Sequence, residues 1–341
     1  MKHILVIRLS AFGDVVMTVP VITSFAKTYP DVCITVLSRK GFQDLFTYMP
    51  ANVRFFGANL NGEHKGFIGL IKLFRQLNKL GIDAVADCHD VLRTKILRLL
   101  FLLGGKKVRH INKGRREKRR ATCQHCKKQL HQLPTSFERY RTVFRKLGFD
   151  FQWQFRSIFD DTPAPQSEFQ RAENETWIGV APFSKQRAKI YPSDSMEKIV
   201  NTLADIPAKV FLFGGKGAES LMLNEWAEKY PNIVSVAGKM TIIEELALMN
   251  RLDVMLSMDS ANMHLASIAG VPVVSVWGST HPFLGFMGWG QNPDNAVQTD
   301  EYLVCRPCSV FGNKPCFRKD YECLLSITTE QIVEKVMQQL K

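Results

Sequence analysis

The sequence predicts an α/β protein built from two doubly wound domains, on three observations. Strand-like apolar runs alternate with helix-like segments along nearly the whole chain, which is the pattern of βαβ units and parallel sheets. A polar, proline-containing stretch at 161–175 (DTPAPQSEFQRAENE) interrupts that alternation, which then restarts. The length of 341 residues also exceeds the roughly 250–300 at which a single core stops growing.

The first domain is expected over 1–160. Its opening run, Ile4 to Ile7, is mostly β-branched and stops at a turn, Leu9-Ser10-Ala11-Phe12-Gly13, so it reads as a buried strand. Asp14 stands where a helix over 15–29 begins. Further strands are expected at 33–37, 53–56, 84–87 and 107–111, with helices at 67–80, 93–103 and 134–147. In the last of these, Phe137, Tyr140, Val143, Phe144 and Leu147 recur at helical spacing, and Gly148 ends it. After the linker at 161–175, the second domain at 176–327 repeats the alternation. Strands are expected at 177–180, 208–213, 233–235, 254–257 and 273–277, and helices at 193–203, 218–229, 242–250 and 261–269. Two such domains are expected to face each other across a cleft between their strand ends.

Composition is that of an ordinary soluble protein, with 45% hydrophobic and 23% charged residues. Arg8 interrupts the first apolar run and no small-residue cleavage site follows, so a secretory signal is not expected. No apolar stretch approaches the ~20 residues that span a bilayer. A cytoplasmic protein is therefore expected. The net charge of +13 (45 basic, 32 acidic) calls for an anionic partner. Much of the excess lies between Arg93 and Lys128, a stretch that suits anionic lipid or a phosphorylated glycan, or is simply a solvated loop. Nucleic acid is disfavoured, because no zinc-finger, RNP-type or helix-turn-helix pattern accompanies the charge.

Four turns after strands carry candidate chemistry, because open α/β sheets bind ligands at their carboxyl edge. Asp14 is placed to take a proton from a substrate hydroxyl, or only to cap its helix. The segment 253–280 runs a strand into Asp259-Ser260-Ala261-Asn262 at a helix start, where free amides make a site for a diphosphate. His264 lies one turn further on the same face as Ser260. The turn Ala181-Pro182-Phe183-Ser184 leads into a basic loop containing Lys189, which suits phosphate oxygens as a point charge. A fourth turn, Phe213-Gly214-Gly215-Lys216-Gly217-Ala218-Glu219, gives close backbone approach, and Glu219 is placed for ribose hydroxyls. It is neither a Walker A motif nor GxGxxG, which disfavours ATPase and dehydrogenase readings.

Four blocks together resemble glycosyltransferase family 9, the ADP-heptose:lipopolysaccharide heptosyltransferases of Gram-negative bacteria. They are ILVIRLSAFGDVVMTVPVI, APFSKQRAKIYP, GKMTIIEELALM and MDSANMHLASIAGVPVVSVWGSTHP. The resemblance implies a GT-B architecture of two Rossmann-like domains, acceptor domain first and donor-nucleotide domain second. It also implies a C-terminal helix, 328–341, that packs back on the first domain, and inverting transfer from an ADP-sugar to a glycolipid without a catalytic metal. Asp14 matches the family's general base and Lys189 its phosphate-contacting lysine. Ser184, Glu219, Met240, Asp259, Ser260, Ala261, Asn262 and His264 fall on the donor side. Ser10, Gly13, Arg115, Arg116, Arg119 and Arg120 fall on the acceptor side, where an anionic glycolipid and peripheral membrane contact are expected. The chain departs from the family in having Ser260-Ala261-Asn262 where Thr-Gly or Ser-Gly is usual. The competing readings are a non-catalytic binding protein of the same fold, and a transferase using a UDP- or GDP-sugar.

Of the eight cysteines, Cys33 and Cys88 read as ordinary buried residues, and Cys123 and Cys126 form a C-x-x-C beside His125. Cys305, Cys308, Cys316 and Cys323 form a tighter, loop-rich group whose spacing suits a structural zinc held by four thiolates. Disulfides are disfavoured by a reducing compartment, and free thiols remain open.

Overall fold

The computed structural model describes residues 2–124, 128–300 and 302–340. It divides into two compact units, Met1–Lys113 with Ser136–Thr162, and Gly114–Thr135 with Pro163–Lys341. Met1, His125, Cys126, Lys127, Glu301 and Lys341 lie outside the described residues, so the expected C-x-x-C pair falls partly outside them.

The first unit begins β1 (His3–Ile7), α1 (Phe12–Val16), α2 (Val19–Thr28), β2 (Cys33–Arg39) and β3 (Val53–Ala58). It continues α3 (Gly66–Asn78), β4 (Ala84–Asp87), α4 (Leu92–Leu103) and β5 (Lys107–His110). The second unit contributes α5 (Arg115–Ala121), and α6 (Ser136–Leu147) returns to the first. The strands form one five-stranded parallel sheet in the order β3-β2-β1-β4-β5. β1 is central, with Ile4 in register with Ile34 on one side and Ala84 on the other. Ile4 to Ile7 are wholly buried, as a strand covered on both faces requires. Leu70, Leu73 and Leu77 of α3 and Leu97 and Phe101 of α4 pack with Leu5, Ile7 and Val85. α2 and α6 meet through Phe25 and Phe144, ring centroids 4.6 Å apart.

The single helix expected at 15–29 is two helices. Pro20 has no amide hydrogen and is excluded from a helix interior, but it is accommodated in the first turn of α2.

The second unit continues with β6 (Thr176–Ala181), α7 (Ser193–Ala204), β7 (Ala208–Leu212), α8 (Ala218–Ala227), β8 (Ile233–Ser235) and α9 (Ile242–Met249). It ends with β9 (Val254–Met258), α10 (Ala261–Ala269), β10 (Val273–Trp277), β11 (Ala296–Gln298), α11 (Glu322–Leu325) and α12 (Thr329–Gln338). Its sheet is six-stranded and parallel, in the order β11-β10-β9-β6-β7-β8. Each sheet therefore has a switch point, between β1 and β4 in one unit and between β6 and β9 in the other, where ligands of such folds bind.

Three sequence boundaries move. The C-terminal helix, expected to pack back on the first domain, instead buries Ile332 and Val336 in the second unit's core beside α7. The segment 114–135, expected with the first domain, belongs to the second unit because Ala121 and Leu133 bury against Leu284. The amide of Leu133 also donates to the Phe283 carbonyl. The expected linker is partly structured. Arg171 pairs with Asp253 at 2.6 Å and Phe169 packs edge-on against Phe211, so its second half is tied to the second unit.

Candidate active site

On the first unit the chain leaves β1 at Arg8, and Cys88 to Asp90 follow β4 beside it. Arg8 is the residue that organises this edge. Its side chain is 7% exposed, and Nη2 stands 2.5 Å from Asp14 Oδ2. Nη1 donates to the Cys88 carbonyl at 2.7 Å, and the guanidinium lies over the Tyr140 ring. The Ala11 amide also donates to Asp14 Oδ2, at 3.2 Å. Both bonds use the same carboxylate oxygen, and Oδ1 accepts none among the described residues. Asp14 thus combines the two roles its position suggests. It closes the first turn of α1 from the third helical position, and it keeps one oxygen of a 25%-exposed carboxylate open.

His89 lies against the same turn. Burial first, then the positive charges of Arg8 and Lys113, drive its pKa down to about 3, so the ring is neutral at ordinary pH. Its Nδ1 accepts from the Leu9 amide at 3.4 Å, which leaves the proton on Nε2, facing Ser10 Oγ at 3.4 Å. Ser10 and Asp14 are thereby brought onto one edge. Gly13 lies within α1 between them and receives the Met17 amide on its carbonyl.

On the second unit, Asp259 is the meeting point of three strand-end loops. Lys189 Nζ pairs with its Oδ2 at 2.7 Å, and Thr280 Oγ1 donates to the same oxygen at 2.7 Å. Ser184 Oγ donates to its carbonyl at 3.2 Å. Ser260 then caps α10, accepting from the Asn262 amide at 3.3 Å. The other amides of that first turn have no intrahelical partner, so an anion-accepting edge stands beside a lysine. Ala261 and Asn262 are half-buried in this turn, and His264 is buried one turn in.

Glu219 and Met240 form a second group on the same strand-end edge. Glu219 Oε2 accepts from the Gly215 amide at 2.7 Å, and the Gly238 amide donates to the Gly214 carbonyl at 3.0 Å. The loop after β7 and the turn holding half-buried Met240 are thus tied together. Met240 immediately precedes Thr241, which caps α9 in a reciprocal capping box with Glu244.

Arg115, Arg116, Arg119 and Arg120 are exposed on α5. They belong to the second unit, not the first as expected, because Lys118 on the buried side of α5 lies over the Phe286 ring at 3.8 Å. Cys305, Cys308, Cys316 and Cys323 line one small cavity, with Cys308 and Cys323 buried. Burial pushes the Cys323 thiol up to about 12 and raises Cys308 as well. Among the described residues, however, no three His, Cys, Asp or Glu side chains are gathered into a ready ligand set. A larger cavity of about 570 Å³, lined by Gln298, Arg306 and α12, holds none of the expected site residues.

Arg8, His89, Tyr140 and Thr280 receive no site role from the sequence alone. An arginine ending a wholly apolar strand was the available signal, since a buried cation needs a partner. Tyr140 looked like one more core position of its helix.

The family model described as glycosyltransferase family 9 (heptosyltransferase) matches residues 70–313. An Escherichia coli protein named lipopolysaccharide heptosyltransferase 3 is 26% identical over 298 residues, covering 82% of this chain and 84% of that one. Among solved structures, the glycosyl transferase family 9 protein of Veillonella parvula DSM 2008 matches with a TM-score of 0.73 at 20% identity, covering 99% of this chain and 97% of that one. The E. coli heptosyltransferase WaaC with ADP matches with a TM-score of 0.69 at 17% identity, covering 99% of each chain. At these identities the structural likeness speaks for the fold, and the family match over most of the length speaks for descent. The chain belongs to glycosyltransferase family 9, the heptosyltransferase family, and is a glycosyltransferase of the two-domain GT-B fold.

Proposed function

We propose that the chain transfers a heptose from ADP-heptose to a hydroxyl of a lipopolysaccharide core or related anionic glycolipid, with inversion at the anomeric carbon. The acceptor oxygen attacks that carbon and its proton passes to Asp14 Oδ1. The bond from the anomeric carbon to the β-phosphate oxygen breaks, and the electron pair leaves with ADP. Lys189 and the first-turn amides of α10 stabilise the charge that grows on the departing diphosphate. Glu219 offers its Oε1 to the ribose while Oε2 holds the Gly215 amide, and Met240 lines the nucleoside side. No step is routed through a metal ion. The single observation that carries this reading is Asp14, with one oxygen fixed by Arg8 and the other open at the switch point of its sheet.

The exposed arginines of α5 suit the phosphates of such an acceptor, which in this reading is met at the cytoplasmic face of the inner membrane. No helix among the described residues is long and apolar enough to cross a bilayer. The test is transfer itself. Product formation is measured with ADP-heptose and a heptose-deficient lipopolysaccharide, beside thermal shifts with ADP, UDP and GDP. Sugar transfer with an ADP-selective shift supports the reading. Nucleotide binding without transfer or donor hydrolysis would mark a binding protein, and a UDP- or GDP-selective shift would replace the donor.

We also propose that the four cysteines at 305–323 hold a structural zinc. The spacing and the shared cavity support it; the four thiols, which are not gathered into a ligand set in this structure, would have to draw together on the ion, and four thiolates would leave no open position for catalysis. Zinc and iron analysis of protein purified without added metal is the check. Less than stoichiometric metal with unchanged thermal stability under chelation would reject it.

A further inference from the structure

We propose that the outer face of α4, together with the first turn of α3, is a docking surface for an anionic lipid bilayer. α4 is apolar on two sides. Leu97 and Phe101 are wholly buried against the sheet, as a surface helix requires. Yet Leu92, Leu99 and Leu103, at i, i+7 and i+11, form a second stripe on the opposite side, exposed by 75%, 55% and 76%. Leu102 beside them is 59% exposed. At the start of α3, which packs against α4, Phe67 and Ile68 are exposed by 63% and 83%. Scattered exposed apolar residues need no explanation, but a stripe on one helix extended by its neighbour does.

Charge identifies the occupant. No acidic residue occurs from Lys65 to Ile82 or from Leu92 to Arg109. Within the same spans Lys65, Arg93 and Lys95 are exposed. Lys95 lies within the leucine stripe itself, where its stem can lie along apolar surface while the ammonium reaches headgroups. A protein partner would set acids against some of these cations; an anionic headgroup layer meets all of them with leucines inserted below. At 12 residues α4 lies in an interface rather than spanning it.

Topology gives the surface a use. In these parallel crossovers the helices run back against the strands, so the first turns of α3 and α4 share the strand-end edge that carries Arg8 and Asp14. A bilayer held by α4 therefore brings that edge to the level of its headgroups. This deepens the peripheral membrane contact proposed above, and rests on that reading only for where the acceptor lies.

The test is cosedimentation of the full chain with phosphatidylcholine vesicles, with and without phosphatidylglycerol, at low and high salt. Binding should need the anionic lipid and weaken with salt. Arg93→Gln with Lys95→Gln should reduce it by at least tenfold, at roughly fivefold for each cation. Leu99→Gln with Leu103→Gln should reduce it by at least tenfold as well. Both double variants should keep their thermal stability and their transfer to a deacylated, water-soluble acceptor. Equal binding to both vesicle types, or full binding by the leucine variant, would overturn the proposal. So would self-association of the parent chain that the leucine variant abolishes, since the face would then pair two copies. Failure of the transfer reading would instead abolish activity on the soluble acceptor and leave vesicle binding as it is.

Discussion

Replacing Asp14 by asparagine separates the chemistry proposed for that residue from its structural work. The amide oxygen can take the place of Oδ2, accepting from Arg8 and the Ala11 amide. The amide nitrogen then occupies the place of Oδ1, and it cannot receive a proton. Removing a partner from a buried ion pair costs about 3–5 kcal/mol when nothing replaces it. Here both hydrogen bonds survive, and Arg8 retains the Cys88 carbonyl and the Tyr140 ring. The structural cost should therefore fall well below that range, with a melting temperature only a few degrees lower. Loss of a general base typically lowers turnover by roughly 10²–10⁴-fold, or about 3–5 kcal/mol of barrier. The expected Asp14→Asn enzyme thus folds, binds ADP as before by calorimetry, and has a kcat reduced by that factor in an ADP-release assay. A kcat within about threefold of the parent, where general-base terms are at least a hundredfold, would refute the assignment. Asp14→Ala makes the contrast, because it strands the Arg8 guanidinium and should lose stability as well as turnover.

Lys189→Ala should weaken ADP binding by roughly 10–100-fold, the size of a charge-assisted contact, and lower turnover too; unchanged affinity by calorimetry would remove Lys189 from the phosphate site. Gly312→Ala reaches the same lysine indirectly. A Cβ there would stand 2.7 Å from Lys189 Cγ, at a φ of +71° that disfavours alanine. It should reduce donor affinity several-fold, and a crystal structure of the variant should show the lysine displaced. Glu245→Gln tests a pH dependence. Burial raises the Glu245 carboxyl to about 7, from 4.5. The folded chain therefore holds a proton that the unfolded chain gives up between these values, and stability falls as pH rises through that window. Above pH 7 the full cost is roughly 3 kcal/mol, at about 1.4 kcal/mol per pKa unit. The glutamine variant should melt higher than the parent above pH 7 and match it below about pH 4.5, as read by thermal denaturation; parallel curves across that range would reject the titration.

The alternation that revealed two parallel sheets was legible because strands covered on both faces are nearly continuously apolar, as Ile4–Ile7 is throughout and Val273–Trp277 is but for Ser275. The polar turns at the strand ends of the second unit were legible for a related reason. A strand that ends in Asp259-Ser260 before a helix places polar groups at an edge fixed by topology. What the sequence hid was decided by contacts between distant segments. Arg8 and Tyr140 are 132 positions apart, and nothing local in either shows that one lies over the other. The segment 114–135 was hidden by its composition. Its charge reads as a solvated loop, while the few apolar residues that assign it to the second unit, Ala121 and Leu133, find their partner in Leu284. β11 has three residues, too few for any period to show.

The architecture around Asp259 links a cysteine-rich segment with little core of its own to Lys189, the lysine proposed to meet the donor phosphates. Asp259 ties together the loops after β6, β9 and β10, through Lys189, its own strand end and Thr280. The turn after β10 is held in its turn from outside. The Ser279 amide donates to the Ala188 carbonyl, and the Ser279 carbonyl accepts from the amides of Cys308 and Ser309. Gly312 lies against the stem of Lys189, and the Arg187 guanidinium lies over the Tyr321 ring. Residues 308–321 are thus the outer wall of the basic loop. Lysine brings a flexible four-carbon stem and a point charge, so its phosphate geometry is set by whatever confines the stem. In this chain the confinement is Asp259 at the ammonium end and the cysteine segment along the methylenes. Whatever state the four thiols adopt, their segment limits where Lys189 can stand; with Lys189 at the donor phosphate as proposed, a change there should be felt first in donor affinity and only through it in turnover.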